Sequence, residues 1–196
     1  VLQAAKESNV KRVVYSSTSA AYGLSNNLPN KETMKNDCLN PYSVSKCAGE
    51  ELCSLYTKMF GLETVTFRYF NVYGNRQPSK GPYAPVIGIF KRQFAAGEKL
   101  TIIGDGHQRR DYVNVHDVVD ANIKAAFSDD PRIINEIFNI GSEENYSVLS
   151  LADIITQNTG EYEHLPERPG EIRETLSDCT KAKELLGWSA KIKLND

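Results

Sequence analysis

The fold is decided by residues 11–70. KRVVYSST (11–18) is an apolar, β-branched run, NPYSVSKCAGEELCSLYTKMFG (40–61) follows after a loop, and LETVTFRYF (62–70) is again β-branched and aromatic. The first and third stretches suit buried strands. In the middle stretch Asn40 suits an N-cap and Pro41 the first helical position, where its missing N–H costs nothing. The spacing predicts a helix to about Phe60, stopped by Gly61. Val44, Cys47, Ala48, Leu52, Leu55 and Met59 recur at helical spacing and are expected to form its buried face. VLQAAKESN (1–9) reads as the end of an earlier helix, and the Ser-, Asn- and Pro-containing residues 25–30 as a loop. Helix, strand, helix, strand implies a parallel sheet with helices on its faces. Ligands of such sheets sit beyond the carboxyl ends of the strands, which points at Ser16-Ser17-Thr18 and at Tyr69-Phe70-Asn71.

Downstream the pattern predicts helices over 85–97, 117–127, 147–158 and 178–186. LTII (100–103) and RDYVNV (110–115) read as two strands around a GDG turn, and IFNIG (137–141) as a buried strand. Ser150 with Asp153 resembles a capping box, and Gly160 and Gly187 fall where helices should stop. No internal repeat is visible.

Composition narrows the function classes. At about 150 residues per domain, a chain of this size holds one domain or at most two. With 40% hydrophobic and 24% charged residues, it is not a disordered or low-complexity segment. A net charge of -2 without a basic stripe argues against nucleic-acid binding. No apolar run approaches the ~20 residues that span a bilayer, and with no charged-then-apolar stretch among the opening residues secretion is not expected. The 4 cysteines form no C-x-x-C pair and the 3 histidines are scattered. That argues against a metal site or a disulfide framework and for reduced thiols in a cytoplasmic setting.

Chemistry enters with Tyr42 and Lys46. Four residues apart on a helix, they share one face. An ammonium beside a phenol favours the phenolate and suits it to proton abstraction. The same pair also fits a half-buried tyrosine with a solvated lysine. Thr18, just past a strand, can donate to a substrate oxygen or simply bond within its turn. Tyr69, Phe70 and Tyr73 fit core aromatics, whereas a polar Asn71 at a strand's carboxyl end suits a ligand.

These motifs taken in order resemble a known family. SSTSAAYG (16–23), NPYSVSK (40–46), FRYFNVYGNRQ (67–77), IIGDGHQRRDYVNVHDVVDA (102–121), FNIGS (138–142) and RPGEIRETLSDCTKAKELLGW (168–188) look like the extended short-chain dehydrogenases/reductases. More narrowly, they resemble the NAD-dependent nucleotide-sugar epimerases and dehydratases. The resemblance implies an α/β fold: the C-terminal part of a Rossmann-like, doubly wound parallel sheet plus a smaller α/β substrate-binding domain. Residues 1–71 and 115–141 would be the remaining NAD-binding part, and 72–114 and 142–196 the nucleotide-sugar-binding domain. It further implies that Tyr42 is the acid/base, that Thr18 assists it, and that Lys46 tunes Tyr42 and holds the nicotinamide ribose. Tyr69 and Phe70 would lie near the nicotinamide, Asn71 at the diphosphate of the sugar nucleotide, and Val86 near its base. Arg110 and Arg168 would grip diphosphate or ribose, as a planar guanidinium can. Glu171 would accept from ribose hydroxyls, at a position where the family more often has Asp.

The resemblance also suggests a reaction. Related dehydratases and decarboxylases place an acid shortly after the threonine. Here Ser19, Ala20 and Ala21 follow it, which favours 4-epimerisation of a UDP-hexose through a 4-keto intermediate. The position seven after Arg168 gates the C2 substituent in these epimerases. Thr175 is small, so N-acetylated sugars (UDP-GlcNAc and UDP-GalNAc) are expected to fit. A homodimer is implied, formed through the Tyr-Lys helix and the helix before it. No G-x-G-x-x-G or G-x-x-G-x-x-G loop, the pyrophosphate cradle of such enzymes, occurs among the glycines. At about 30 residues per βαβ step, roughly 100 residues are expected before Val1. Two alternatives stand beside epimerisation. One is a catalytically inert or UDP-binding-only fragment, and the other a nucleotide-sugar dehydratase or reductase of the same family.

Overall fold

The computed structural model describes residues 1–81, 84–167 and 172–194. The elements run α1 (Leu2–Glu7), β1 (Arg12–Thr18), α2 (Pro41–Phe60), β2 (Glu63–Tyr69), β3 (Asn71–Tyr73), α3 (Val86–Ala95), β4 (Leu100–Ile103), β5 (Arg109–Asn114), α4 (Val115–Phe127), β6 (Glu136–Ile140), β7 (Asn145–Ser147), α5 (Val148–Thr156), β8 (Tyr162–Leu165) and α6 (Thr180–Leu186). Among the described residues no helix is long and apolar enough to cross a membrane.

The main sheet has the order β1-β2-β6, all parallel. Its register places Thr18 opposite Tyr69 and Tyr69 opposite Ile140, so three carboxyl ends finish side by side. A second sheet, β3-β5-β7, is mixed: β3 runs parallel to β5, and β7 antiparallel to it. The pair β4-β8 is parallel. The strands at 100–103 and 109–114 thus exist as expected but do not pair with each other. β4 finds its partner farther along the chain in β8, and β5 lies between β3, which precedes it, and β7, which follows it; none of these three short strands was read from periodicity.

Two apolar clusters form the core. The first joins Val65, Phe67, Phe138 and Ile140 of the main sheet to Val118 and Ala121 of α4 and to Leu186 and Trp188. Phe67 and Phe138 meet edge to face at 6.1 Å. Each such fully buried side chain contributes about 1.5–3 kcal/mol relative to exposure. Trp188 donates its indole N–H to the Asp117 carbonyl at 2.9 Å, which satisfies the one polar group of a side chain 1% exposed. The second cluster joins Ile87 and Phe90 of α3, Leu100 and Ile102 of β4, Tyr112, and Leu151 and Ala152 of α5. The outer edge of β6 is closed by a side chain: Glu32 accepts from the Asn139 N–H at 2.8 Å. Burial pushes the Glu32 carboxyl above its ordinary range.

α2 begins as the sequence predicts. Asn40 Oδ1 accepts from the Ser43 N–H at 2.9 Å while Ser43 Oγ accepts from the Asn40 N–H at 3.3 Å, a reciprocal cap. It ends at Gly61, whose φ of +69° only glycine adopts at little cost. Its buried face differs from the expected one. Ser43, Cys47, Glu50 and Cys53 face the sheet, while Val44, Leu52, Leu55 and Met59 are 46–62% exposed. The apolar count pointed the wrong way because this helix docks largely through polar groups. At α5 the expected Ser150–Asp153 box is replaced by Ser147, whose Oγ accepts from the Ser150 N–H at 3.0 Å. The stop expected at Gly160 falls instead at Gln157, in the left-handed region with φ +53°.

The polar dock is a buried ion pair. Arg68 of β2 and Glu50 of α2 are 2% and 5% exposed. Arg68 Nε and Nη2 donate to the two Glu50 oxygens at 2.9 and 2.6 Å, the parallel geometry that suits guanidinium and carboxylate. Ser17 of β1 donates its hydroxyl to the same carboxylate. Arg68 also donates to Asn36 Oδ1 at 2.7 Å and stacks 4.8 Å from the Tyr22 ring centroid. Tyr22 in turn donates to Asn139 Oδ1 at 2.6 Å. The pair therefore joins all three strands of the main sheet to α2 and to the loop before it.

Removing one partner of such a pair leaves an uncompensated buried charge, at a cost of about 3–5 kcal/mol. Arg68→Met should lose that much in urea unfolding followed by Trp188 fluorescence, and Arg68→Met with Glu50→Leu should recover most of it. Tyr22 offers a pH test. Burial pushes its phenol from the ordinary 10.0 up to about 12, against the pull of Arg68. A raised folded value means the neutral form stabilises the fold below pH 10.0 and that this contribution is lost as pH climbs toward 12. Tyr22→Phe should show a shallower fall in stability across that window.

Candidate active site

The site grows from the junction of β1 and α2. Lys46 Nζ donates to the Ser16 carbonyl at 2.9 Å, which pins the ammonium at the carboxyl end of β1. The Tyr42 ring lies on the same face of α2, with Lys46 Nζ 5.9 Å from its centroid. Tyr15 Oη reaches α2 from below and donates to the Lys46 carbonyl at 3.3 Å. This approach needs Gly49, because a Cβ there would stand 2.1 Å from the Tyr15 hydroxyl. Tyr42 is 55% exposed and opens to solvent. Thr18 is 8% exposed and caps the short 3₁₀ turn at 19–22, its Oγ1 accepting from the Ala20 N–H at 3.2 Å. The turn-bonding role weighed for it is present, and it uses a lone pair and leaves the hydroxyl proton to be donated.

The residues at the end of β2 divide. Tyr69 packs against the first apolar cluster and donates to Asn122 Oδ1 of α4 at 3.0 Å. Phe70 is buried, stacks on Tyr22 at 6.3 Å, and donates its N–H to the Ile140 carbonyl at 3.0 Å. Both are core aromatics as well as strand-end residues. Asn71 opens β3 and donates its amide to the Asp111 carbonyl at 2.9 Å.

Asn71, Val86 and Arg110 line one cavity of about 410 Å³ between β3, β5, β4 and α3. Its walls include Phe90, Ile103, Gln108 and Tyr112. Arg110 Nη1 donates to the Arg109 carbonyl at 3.0 Å. Burial pushes the Tyr112 phenol up to about 12, so this wall stays neutral. The volume is within the range of small-ligand clefts, and a mostly apolar lining with a few polar groups is their usual character. Thr175 does not line it. That residue is 8% exposed, and its Oγ1 accepts from the Asp111 N–H at 3.2 Å. Arg168 and Glu171 lie outside the described residues. A second groove of about 490 Å³ runs between residues 31–33, β6 and α6; both of its lysines are paired, Lys31 with Asp178 and Lys181 with Glu136, and Glu32 and Glu184 add two further acids.

Sequence reasoning missed the supports of this site. Glu50 and Arg68 were overlooked, although an acid and a base on neighbouring buried elements are a readable signal. Asp111 was also overlooked. It is fully buried, and its carboxylate accepts from the Ser142 and Ser177 N–H groups at 2.7 and 3.0 Å and from both of their hydroxyls. It thereby ties β5, beside Arg110, to the turn after β6 and to the segment carrying Thr175. The readable signal was an acid inside an apolar strand, since a buried carboxylate must be multiply hydrogen-bonded.

Comparison with known proteins gives this geometry a family. Residues 1–141 match the model of the NAD dependent epimerase/dehydratase family. A putative UDP-glucose 4-epimerase of Methanocaldococcus jannaschii is 38% identical over 200 residues, covering 100% of this chain and 63% of that protein. Among solved structures, the UDP-glucose 4-epimerase of Thermotoga maritima with UDP-glucose superposes with a TM-score of 0.93 at 37% identity, over 99% of this chain and 63% of that one. The UDP-N-acetylglucosamine 4-epimerase of Methanobrevibacter ruminantium, in complex with UDP-N-acetylmuramic acid, superposes with a TM-score of 0.90 at 34% identity, over 96% of this chain and 60% of that one. The chain thus spans less than two thirds of the length of these relatives. With a Tyr-x-x-x-Lys pair set at the carboxyl end of a parallel strand and a family match over most of its length, the chain belongs to the NAD dependent epimerase/dehydratase family.

Proposed function

We propose that this protein works as an NAD-dependent 4-epimerase of a UDP-hexose. One observation carries the reading: Tyr42 and Lys46 share a face of α2, with the Lys46 ammonium fixed on the Ser16 carbonyl where β1 ends. The cofactor reading is supported by the three parallel strands that end in line at Thr18, Tyr69 and Ile140, the edge at which such sheets bind dinucleotides. Residues 1–71 and 115–141 would form the cofactor side, and 72–114 and 142–196 the nucleotide-sugar side.

In this mechanism the Tyr42 phenolate takes the proton of the sugar's 4-hydroxyl, and the Thr18 hydroxyl donates to the same oxygen. Lys46 stabilises the phenolate charge and holds the nicotinamide ribose. NAD, when bound, would supply the hydride acceptor for C4 and the donor for its return to the opposite face of the sugar. Tyr69 and Phe70 would border the nicotinamide. Once the 4-keto sugar has rotated, Tyr42 returns the proton to O4. Asn71, Arg110 and Arg168 hold the diphosphate and ribose, Val86 abuts the base, and Glu171 accepts from the ribose hydroxyls. Ser19, Ala20 and Ala21 offer no acid beside Thr18, which favours epimerisation over elimination of water. Acceptance of an N-acetyl group at C2 rests on the small size of Thr175, whose hydroxyl is turned to the Asp111 N–H and not into the cavity. A homodimer is supported by the exposed stripe Val44, Leu52, Leu55 and Met59 on α2.

Incubation with NAD and either UDP-glucose or UDP-GlcNAc should yield the C4 epimer. Tyr42→Phe should lower kcat by about 10²–10⁴-fold, the usual worth of a positioned acid/base. Turnover of UDP-glucose but not of UDP-GlcNAc would sink the N-acetyl reading, and an accumulating 4-keto product would favour a dehydratase. A second reading rests on the span of 63% of the related protein and the lack of a Gly-rich loop: these residues bind UDP but do not turn it over. UDP binding by calorimetry, unchanged by NAD and without product, would select it. Sedimentation should find a dimer that Leu52→Glu with Leu55→Glu converts to a monomer.

A further inference from the structure

The thiols of Cys38 and Cys47 lie in contact, with Sγ atoms 3.4 Å apart. Cys47 is on α2, directly after Lys46, and Cys38 is in the segment leading to the helix cap at Asn40. This proximity is held from several sides. The Asp37 N–H donates to the Ala21 carbonyl at 2.8 Å, and the Asp37 carboxylate accepts from the Leu24 and Ser25 N–H groups at 2.8 and 2.9 Å. Asn36 is tied to Arg68, and Asn40 is locked in its reciprocal cap with Ser43. The segment 36–40 is thus anchored on both sides of Cys38, and Cys47 is fixed by the helix.

We propose that Cys38 and Cys47 form an oxidisable dithiol, closed to an intramolecular disulfide by a peroxide, that staples the segment before α2 to the helix carrying Tyr42 and Lys46. The inference stands on the geometry of the thiols and does not depend on the epimerase reading.

The two thiols differ in a way that orders the chemistry. Cys38 is half-buried and accessible, whereas Cys47 is 7% exposed. Burial, and after it the contact with Cys38, pushes the Cys47 thiol up to about 12. Cys38 therefore meets the oxidant. Its thiolate attacks one peroxide oxygen, an S–O bond forms, the O–O bond breaks, and hydroxide leaves and is protonated to water. Cys47 then attacks the sulfenic sulfur as its proton is lost, the S–S bond forms, and the S–O bond breaks to release a second water. Two sulfurs give up one electron each, and one peroxide becomes two waters. Bonding needs the sulfurs to close by about 1.4 Å to the usual disulfide length. Transient disulfides of this kind occur in reducing compartments as redox sensors.

The test uses the unmodified chain. It is treated with hydrogen peroxide, alkylated, and cleaved with trypsin without reduction. Cleavage after Lys35, Lys46 and Lys58 places Cys38 in the peptide 36–46 and Cys47 in 47–58. The expected result is that these two peptides are joined, that dithiothreitol separates them, and that fragmentation places the bond at Cys47 and not at Cys53. Cys38→Ser should abolish the joined species, while Cys179→Ser should leave it unchanged. The proposal is overturned if Cys38 passes to the sulfinic acid without a link, or if it joins Cys53, Cys179 or a second chain.

Discussion

The ion pair between Glu50 and Arg68 sits where everything else in the main sheet meets. Two charges removed from water are tolerable only when their pairing and the hydrogen bonds around it repay the lost hydration. Here Ser17, Asn36 and the Tyr22 ring add contacts to the two-pronged bond, and of the pair's charged atoms Arg68 Nη1 alone is buried without a hydrogen-bond partner. The result is directional. An apolar interface would let α2 slide or rotate on the sheet at modest cost, whereas a two-pronged bond fixes both its height and its rotation. Tyr42 and Lys46 lie on the two turns before Glu50, and Thr18 follows Ser17. The geometry of the candidate chemistry is therefore inherited from a contact that touches none of the reacting groups.

The same contact explains where sequence reasoning succeeded and where it failed. The limits of α2 were legible because Asn40, Pro41 and Gly61 act through the local backbone. Its orientation was not, because periodicity counts apolar residues and this helix turns Ser43 and Glu50 inward; of the apolar set that was read, Cys47 is buried as expected. The stripe Val44, Leu52, Leu55 and Met59, read as core, lies outside. The strands at 12–18, 63–69 and 136–140 were legible from β-branched runs, but β7 and β8 are short, polar and exposed in part, and carry no such signal. Pairing was the least legible level. A glycine turn between 100–103 and 109–114 suggested a hairpin, whereas both strands are claimed by distant partners.

The candidate site residues were recognised through motif order rather than physical pattern, and the structure treats them unevenly. Asn71, Val86 and Arg110 come from three separate segments and meet in one cavity. Lys46 and Tyr42 meet over the end of β1. Thr175 was read only for its small size at the position gating the C2 substituent, and its hydroxyl is bonded to the backbone of β5 through the Asp111 N–H. Asp111 had drawn no notice, although it anchors the segment on which Thr175 sits. Polar residues that hold loops together leave little trace in a sequence, because their partners are backbone groups that every residue possesses.

The parallel sheet also sets an order of assembly. β1, α2 and β2 are contiguous, so this unit can close while the rest of the chain is still being made. β6 pairs with β2 only after α3, β4, β5 and α4 have been synthesised, and Leu186 and Trp188 complete the core behind β6 later still. Until then Val65 and Phe67 lack part of their cover, that given by Phe138, Ile140, Leu186 and Trp188. Pairings between distant segments are slow to form and leave apolar surface open to misassociation. The carboxylate of Glu32 is already at hand when β6 arrives, and it occupies the Asn139 N–H that a neighbouring nascent chain would otherwise pair with.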